Sequence, residues 1–367
     1  MNVSGMLNGG INLVGLLALA AVLMPGTAQA RDNSAAVEVV PVAESPSADG
    51  QACCRCDARN ELRFFGPVAL VNQQPPNPAF LSPIPAVATV LPPGEEWARF
   101  KVDLTNHLTM ESDAGYVMRY DFESLRFEPE YHIGLSQGEL SVRYMFGYTG
   151  PGFLDGFIRS FHQLIDQRSW VRMDTESYHY ECRLEGPQGV IFEGETDEWY
   201  FGDLVAEFKR PLFNKRNGED ALSWRAAVKI PISILDNELL DTGGMDYSLG
   251  LLYQRQLGRR WRGYLNLDYV LISPTDWDQV SHNNIVVMLY AVEYAINPRT
   301  TGVVQWRTHP NPVSLGGDQI DQDSQELSYA VHHDLGGGTV LTFGMTEDVQ
   351  GQSAPDVSFM GYLSWEM

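Results

Sequence analysis

Hydrophobic residues recur at every second position through most of the chain after residue 97. Successive side chains of a β-strand point to opposite faces, so this pattern predicts strands with one apolar face and one polar face. Each run is roughly ten residues long, the length that a tilted membrane-spanning strand needs. The clearest runs cover residues 98–105, 140–146, 224–230, 247–253, 261–269 and 286–294.

The same alternation continues to the last residue of the sequence. Phe359, Leu363 and Trp365 share one face, and Ser358 and Glu366 lie on the other. A closing strand of a membrane barrel needs an apolar face toward lipid and a polar face toward the lumen. The fold class that we predict is therefore all-β, an antiparallel transmembrane β-barrel of about 12 strands (10–14).

Aromatic residues cluster near the ends of the apolar faces. Girdles of Trp and Tyr at both lipid interfaces are typical of membrane barrels. A soluble antiparallel sandwich also alternates, so an exported β-sandwich binding module is the alternative fold. The residues that we expect at the membrane interface are Trp224, Trp261, Tyr269, Trp306 and Trp365.

The polar faces carry basic and acidic residues in equal numbers. Such a balance favours cross-strand pairing in a narrow, partly filled lumen over an open and strongly ion-selective pore. The lumen-facing candidates are Arg99, Lys101, Asp103, Arg143, Asp203, Glu207, Arg225, Lys229, Arg262 and Asp268.

The chain divides into four segments before any strand is placed. Residues 1–30 have an apolar run followed by Ala-Gln-Ala, which predicts a cleaved export signal. Residues 31–60 predict a disordered tail that contains cysteines. Residues 61–96 are proline-rich, which forbids a central strand and predicts a plug or a segment packed at the barrel mouth. Residues 97–367 form the predicted barrel.

One stretch follows a helical period instead. Apolar residues between 153 and 165 predict a short amphipathic helix in a loop, lying on the membrane or capping the barrel. Asp155 and His162 share a face of this helix. Ordinary surface polarity is the favoured explanation for both, because Asp in a first turn suits the helix dipole.

The four cysteines are disulfide candidates, because an exported chain meets an oxidising compartment. Three cluster in the tail and one stands alone: Cys53, Cys54, Cys56 and Cys182. No matching His or Cys pair lies at zinc-site spacing, so we expect no metal and no cofactor.

Catalytic residues are not evident. A lipid hydrolase needs a serine beside a histidine and an orienting third group. Ser160 and His162 point apart on the predicted helix, and Ser281 with His282 has no third partner in sequence. We therefore expect no enzyme activity, with an outer-membrane lipid hydrolase as the alternative.

A net charge of −22 argues against nucleic acid as a partner, because phosphates need Lys and Arg. The expected partners are outer-membrane lipid, lipopolysaccharide and the barrel-insertion machinery.

Three stretches resemble a known family: residues 90–94 (Val-Leu-Pro-Pro-Gly), 152–158 (Gly-Phe-Leu-Asp-Gly-Phe-Ile) and 242–247 (Thr-Gly-Gly-Met-Asp-Tyr). The chain resembles the bacterial domain-of-unknown-function family 3187 over residues 62–367. This resemblance implies a barrel in the bacterial outer membrane and transfers no catalytic residue. The expected role is a narrow porin-like channel or a structural component of that membrane.

Overall fold

The computed structural model describes residues 62–152, 179–215, 218–232, 242–275, 277, 280–317, 321–349 and 353–367. The predicted signal, the cysteine-containing tail and the predicted helix with Asp155 and His162 lie outside these residues. The regular structure of the described residues is β-strand, apart from one short 3₁₀ helix at Asn77–Ala79. Its helices include none long and apolar enough to cross a bilayer.

Sixteen strands are formed by the described residues. Their bounds are β1 Glu96–Asp113, β2 Tyr116–Leu135, β3 Gly138–Gly150, β4 Glu181–Gly186, β5 Gly189–Glu193, β6 Glu198–Lys215, β7 Asp220–Ile230, β8 Tyr247–Gly258, β9 Trp261–Leu271, β10 Ser281–His282, β11 Ile285–Asn297, β12 Thr300–His309, β13 Val313–Ser314, β14 Ser324–Gly336, β15 Thr339–Asp348 and β16 Val357–Glu366.

Twelve of these strands close into a barrel. Following the wall, the order is β1, β2, β3, β6, β7, β8, β9, β11, β12, β14, β15 and β16, and every neighbouring pair is antiparallel. Strand β16 then pairs with β1 from Trp97 opposite Glu366 to Asn106 opposite Val357. Closure leaves no free edge, which is what a sheet in lipid requires. The predicted barrel of about 12 strands is confirmed, and the sandwich alternative is wrong.

The barrel has two different ends. Short turns join β2 to β3, β6 to β7, β8 to β9, β11 to β12 and β14 to β15 at one end, and β1 begins there. At the other end, which we call the long-loop end, a two-residue turn joins β1 to β2 and longer connections join the other strands. This asymmetry is typical of outer-membrane barrels, whose short turns face the periplasm.

The two faces of the wall differ as the alternation predicts. On β8, Leu249 and Leu251 are exposed, whereas Ser248 and Gln254 are buried. On β11, Val286, Tyr290 and other apolar side chains also point outward. The outer face is therefore apolar and the polar side chains turn into the barrel.

One register prediction is wrong. The alternation of Met118, Tyr120 and Phe122 with Arg119 predicts an outer apolar face and an inward Arg119. In the structure those three side chains are buried and Arg119 is exposed. Here β2 runs into the long-loop end, where the β4–β5 hairpin pairs with it at Val117–Asp121. The apolar side chains pack under this cap with the tip of the 62–93 segment, so burial there overrides the pattern of the wall.

Candidate functional site in the barrel lumen

Residues 62–93, which we call the plug segment, run through the inside of the barrel. Arg63 forms an ion pair with Asp334 near the short-turn end, at 3.0 Å. At the long-loop end, the ring of Phe80 contacts the rings of Trp277 and His282. The segment then returns, and the Gly94 N–H donates to the Gly134 carbonyl of β2 at 2.9 Å. It therefore enters and leaves by the same end.

The plug segment contains eight prolines, at positions 67, 75, 76, 78, 83, 85, 92 and 93. Proline lacks an N–H group, so a buried segment rich in proline has fewer backbone donors to satisfy. The remaining N–H groups still need acceptors, because the segment has almost no secondary structure of its own. The lumen wall supplies them.

Side chains of the wall accept hydrogen bonds from the plug backbone. Both carboxylate oxygens of Glu293 are used, by Phe65 N–H at 2.8 Å and Gly66 N–H at 3.0 Å. Gln305 both accepts from and donates to the backbone of Val68. The further acceptors are Asp246 for Leu81, Asn266 for Ala86, Gln254 for Ala88 and Glu139 for Leu91.

Basic side chains of the wall donate to plug carbonyls. Arg225 Nη1 lies 2.6 Å from the Ile84 oxygen, and Lys229 Nζ lies 2.7 Å from the Ala79 oxygen. The remaining pairs are Lys101 with Ala69, Arg143 with Ser82 and Lys209 with Val87. The wall thus supplies acceptors for the N–H groups of the plug segment and donors for its carbonyl groups.

Each of the main lumen cations also has a carboxylate on the wall itself. The Arg225 guanidinium makes two bonds of 2.7 Å to Asp268, a fork geometry that suits arginine, and it lies 3.4 Å from Glu207. Lys229 lies 3.0 Å from Asp203 and 3.5 Å from Asp246.

Two further ion-pair groups lie on the strands nearest β1. Lys101 lies 3.1 Å from Asp103 and 3.2 Å from Glu128. A chain of contacts also runs from Arg99 through Glu130, His132 and Glu139 to Lys209. The wall is therefore charge-compensated even where the plug segment makes no contribution.

Part of the lumen lining is an apolar cluster. Val68, Leu70 and Ile84 of the plug segment are buried there. Their neighbours on the wall are Tyr264, Leu289, Ala291, Val303, Ala330, Met360 and Tyr362. These apolar contacts exclude water around the segment, while the polar side chains of the wall hold its backbone.

Little space remains between the plug segment and the wall in this region. A cavity of about 40 Å³ lies beside Val71 and Ser82, against Arg126, Glu128 and Arg143. That is room for a few water molecules at most.

Most of the predicted lumen residues are buried inside the barrel. Arg99, Lys101, Asp103, Asp203, Glu207, Arg225, Lys229 and Asp268 are buried, and Arg143 and Arg262 are half-buried. The Arg262 guanidinium lies 4.4 Å from the ring centre of Phe64, beside the start of the plug segment. Of the predicted interface aromatics, Trp261 and Tyr269 are exposed on the outer face, and Trp224, Trp306 and Trp365 are half-buried.

The remaining candidates do not form a reactive centre in the described residues. Ser281 Oγ donates to the Ser314 carbonyl, whereas His282 Nε2 lies 2.7 Å from Thr275 Oγ1. Burial lowers the pKa of His282, against the opposing influence of Asp246. The described residues also contain no cluster of His, Cys, Asp or Glu suited to a metal.

Cys182 belongs to β4 of the cap at the long-loop end. It is a buried free thiol beside Tyr120, Leu184 and Phe192 among the described residues. Burial raises the pKa of this thiol, so the unreactive protonated form is favoured. The other disulfide candidates, Cys53, Cys54 and Cys56, lie outside the described residues.

Sequence reasoning missed several residues that hold the plug segment. Gln254, Asn266 and Gln305 are uncharged, so a search for charged residues on the polar faces does not find them. Glu139 directly follows a Gln-Gly turn. Glu326 is buried in β14 and acts through Arg307, which lies 3.2 Å from it and donates to Ser82 Oγ of the plug segment at 2.7 Å. All five residues stand at inward positions of the alternating pattern, which is the sequence feature that could have identified them.

The closed twelve-strand wall, apolar outside and polar inside, defines the class as a transmembrane β-barrel of the outer-membrane kind. Within that class, residues 53–365 match the family model "Protein of unknown function (DUF3187)". The chain belongs to this family, as the three sequence stretches indicated. The comparison with curated proteins finds no match.

One solved structure has a similar fold, and two others are more distant. The COG4313 outer membrane channel from Pseudomonas putida F1 is similar with a TM-score of 0.52 and 13% identity, over 78% of this chain and all of that one. The NanC porin gives a TM-score of 0.41 at 8% identity, over 74% of this chain and 100% of that chain. The P. putida toluene transporter TodX gives 0.34 at 9% identity, over 75% and 90%.

Proposed function

We propose that the protein is a narrow channel of the bacterial outer membrane, and that the described conformation is its closed state. The observation that carries this proposal is the plug segment, which fills the lumen and is held by hydrogen bonds from wall side chains. The barrel fold and its apolar outer face support the membrane location. A structure of similar fold is described as an outer membrane channel, which supports the same role.

The contacts favour a plug that can move. Each hydrogen bond between the wall and the plug backbone contributes only about 0.5–1.5 kcal/mol net, because water can replace either partner. Lys101, Arg225 and Lys229 would keep their wall carboxylates if the segment left. Displacement therefore leaves these three cations paired, and the hydrogen bonds between the barrel strands stay intact.

The chemistry of the wall also suggests the cargo. The wall of the lumen carries paired cations and anions, and an apolar cluster lies beside them. A lumen of mixed sign does not strongly exclude either charge. Small polar or zwitterionic solutes fit such a lumen better than a single class of ion.

Solute flux into proteoliposomes tests the proposal. Replacing Glu293 and Gln305 by Ala removes acceptors of the plug backbone without breaking a described ion pair of the wall. This double variant should swell liposomes in glycine or arabinose several-fold faster than the native protein. A matched variant with Glu366→Ala and Gln137→Ala, both exposed at the short-turn end, should behave as native.

The barrel must be shown to be folded in each preparation, by its heat-dependent shift in electrophoretic mobility. A folded double variant that admits no solute would favour a purely structural role.

A further inference from the structure

The outer wall of the barrel carries a groove that the channel does not use. It has a volume of about 510 Å³ and lies across β9, β11, β12, β14 and β15. This volume is in the range of sites for small organic ligands. Its lining is apolar, with exposed side chains such as Trp261, Val304, Tyr329 and Phe343.

Gly302 of β12 creates the depth of this groove. Its position on the strand faces outward between larger neighbours. A Cβ atom added there would lie 3.8 Å from Ile296 Cδ1 and 4.0 Å from the Ala330 oxygen, which is ordinary contact distance. Gly302 is not among the residues with positive φ, so a larger side chain would fill the groove without backbone strain.

The short-turn end of the same groove is basic. Three neighbouring turns, at residues 257–260, 296–299 and 335–338, contain Arg259, Arg260 and Arg299 and no acidic residue. This stands out in a chain with a net charge of −22. Arg260 Nη1 lies 3.3 Å from the Tyr294 hydroxyl, which places one guanidinium at the edge of the groove.

We propose that this groove and its arginines form a binding site for one anionic glycerophospholipid. An acyl chain lies in the apolar groove over Gly302, and the phosphate headgroup meets Arg260 and Arg299. Arginine pairs with phosphate through parallel N–H···O bonds, which gives the headgroup a fixed position. The site rests on the membrane location proposed above, and the short-turn end assigns it to the periplasmic leaflet.

The geometry also separates this site from a general lipid annulus. A lipid-facing surface without charge at its rim would bind lipids equally, whatever their headgroup. Near a membrane surface each Arg contributes about 1 kcal/mol of attraction to an anionic lipid, which is roughly a fivefold preference. Two arginines should therefore favour phosphatidylglycerol over zwitterionic phosphatidylcholine by roughly 25-fold.

Native mass spectrometry of the folded, delipidated protein in detergent tests the site. Titration with phosphatidylglycerol should show one lipid that binds roughly 25-fold more tightly than phosphatidylcholine. The double variant Arg260→Gln with Arg299→Gln should lose this preference. Arg210→Gln, an exposed arginine on β6 across the barrel, is the matched control and should retain it.

The groove itself is tested by Gly302→Phe, which should abolish tight binding of both lipids. Val286→Phe, an outward position near the other end of β11, should have no effect. In vesicles of phosphatidylglycerol with brominated acyl chains, the bromine atoms should quench the fluorescence of Trp261. Trp261→Phe should therefore reduce the fraction of the tryptophan fluorescence that is quenched.

Equal lipid retention by the native protein and Gly302→Phe would overturn the proposal. So would a dimer that loses its interface in Gly302→Phe, because a second copy would then occupy the groove. Neither result depends on whether the barrel conducts solutes, so failure here and failure of the channel role are distinguishable.

Discussion

At the scale of single residues, the lumen is organised around charges that water does not reach. Arg225 and Asp268 are each only 1% exposed at the side chain. Removing ions of this kind from water costs several kcal/mol apiece, and close pairing with good geometry offsets that cost. Arg225 does more than neutralise its partner, because it also donates to the plug carbonyl of Ile84.

Replacing Arg225 by Leu should destabilise the barrel by about 3–5 kcal/mol, because Asp268 is left as an unpaired buried charge. Denaturant unfolding in detergent, followed by tryptophan fluorescence, measures the change. Arg225→Leu combined with Asp268→Leu should recover much of the loss. Arg210→Gln should shift the free energy of unfolding by no more than about 0.5 kcal/mol. A double variant as unstable as the sum of both singles would contradict this account of the pair.

Cys182 should resist maleimide in the folded protein, since its raised pKa and its burial both suppress the thiolate. Peptide mass spectrometry after labelling separates it from Cys53, Cys54 and Cys56. Full labelling of Cys182 should require denaturant. Rapid labelling of the native protein, or recovery of Cys182 in a disulfide with a tail cysteine, would show that the cap is not packed as described.

At the scale of elements, the plug segment is a buried chain with almost no secondary structure of its own. It is stable because side chains of the wall take the place of a backbone ladder. Its return path passes very close to β2: a Cβ atom on Gly134 would lie 1.9 Å from the Pro92 oxygen. Only glycine at this position lets the segment lie against the wall.

Hydrogen exchange should therefore protect the amides of Phe65, Gly66, Val68, Leu81 and Ala88 far beyond an exposed loop. Gly134→Ala should push the segment from the wall and raise exchange in peptides from residues 81–93, while the barrel strands stay protected. Mass spectrometry of exchanged peptides measures both. If plug peptides exchange within seconds in the native protein, the segment does not occupy the lumen in solution.

Much of the element scale could be predicted from the sequence. The alternation of apolar and polar residues predicted the strands and their apolar outer face. The prolines of residues 61–96 predicted a segment that is not a central strand. The partners of that segment could not be predicted, because Val68 and Gln305 are 237 residues apart. The register of β2 at Met118 failed for a related reason, since a hairpin from a distant part of the chain covers it.

At the scale of the whole molecule, the barrel closes around its own plug segment. The ladder of the wall, the ion pairs of the lumen and the contacts of the plug segment form three layers of interaction. Only the contacts of the plug segment must break for the lumen to open. The wall thus keeps its structure while the plug segment moves.

Single-channel recording in planar bilayers tests this claim most directly. The native protein should give rare and small current steps, and a variant lacking residues 62–93 should give large and persistent ones. Glu293→Ala with Gln305→Ala, which keeps the whole chain, should lie between them. Large steady currents from the native protein, or silence from a folded barrel without the segment, would contradict the account.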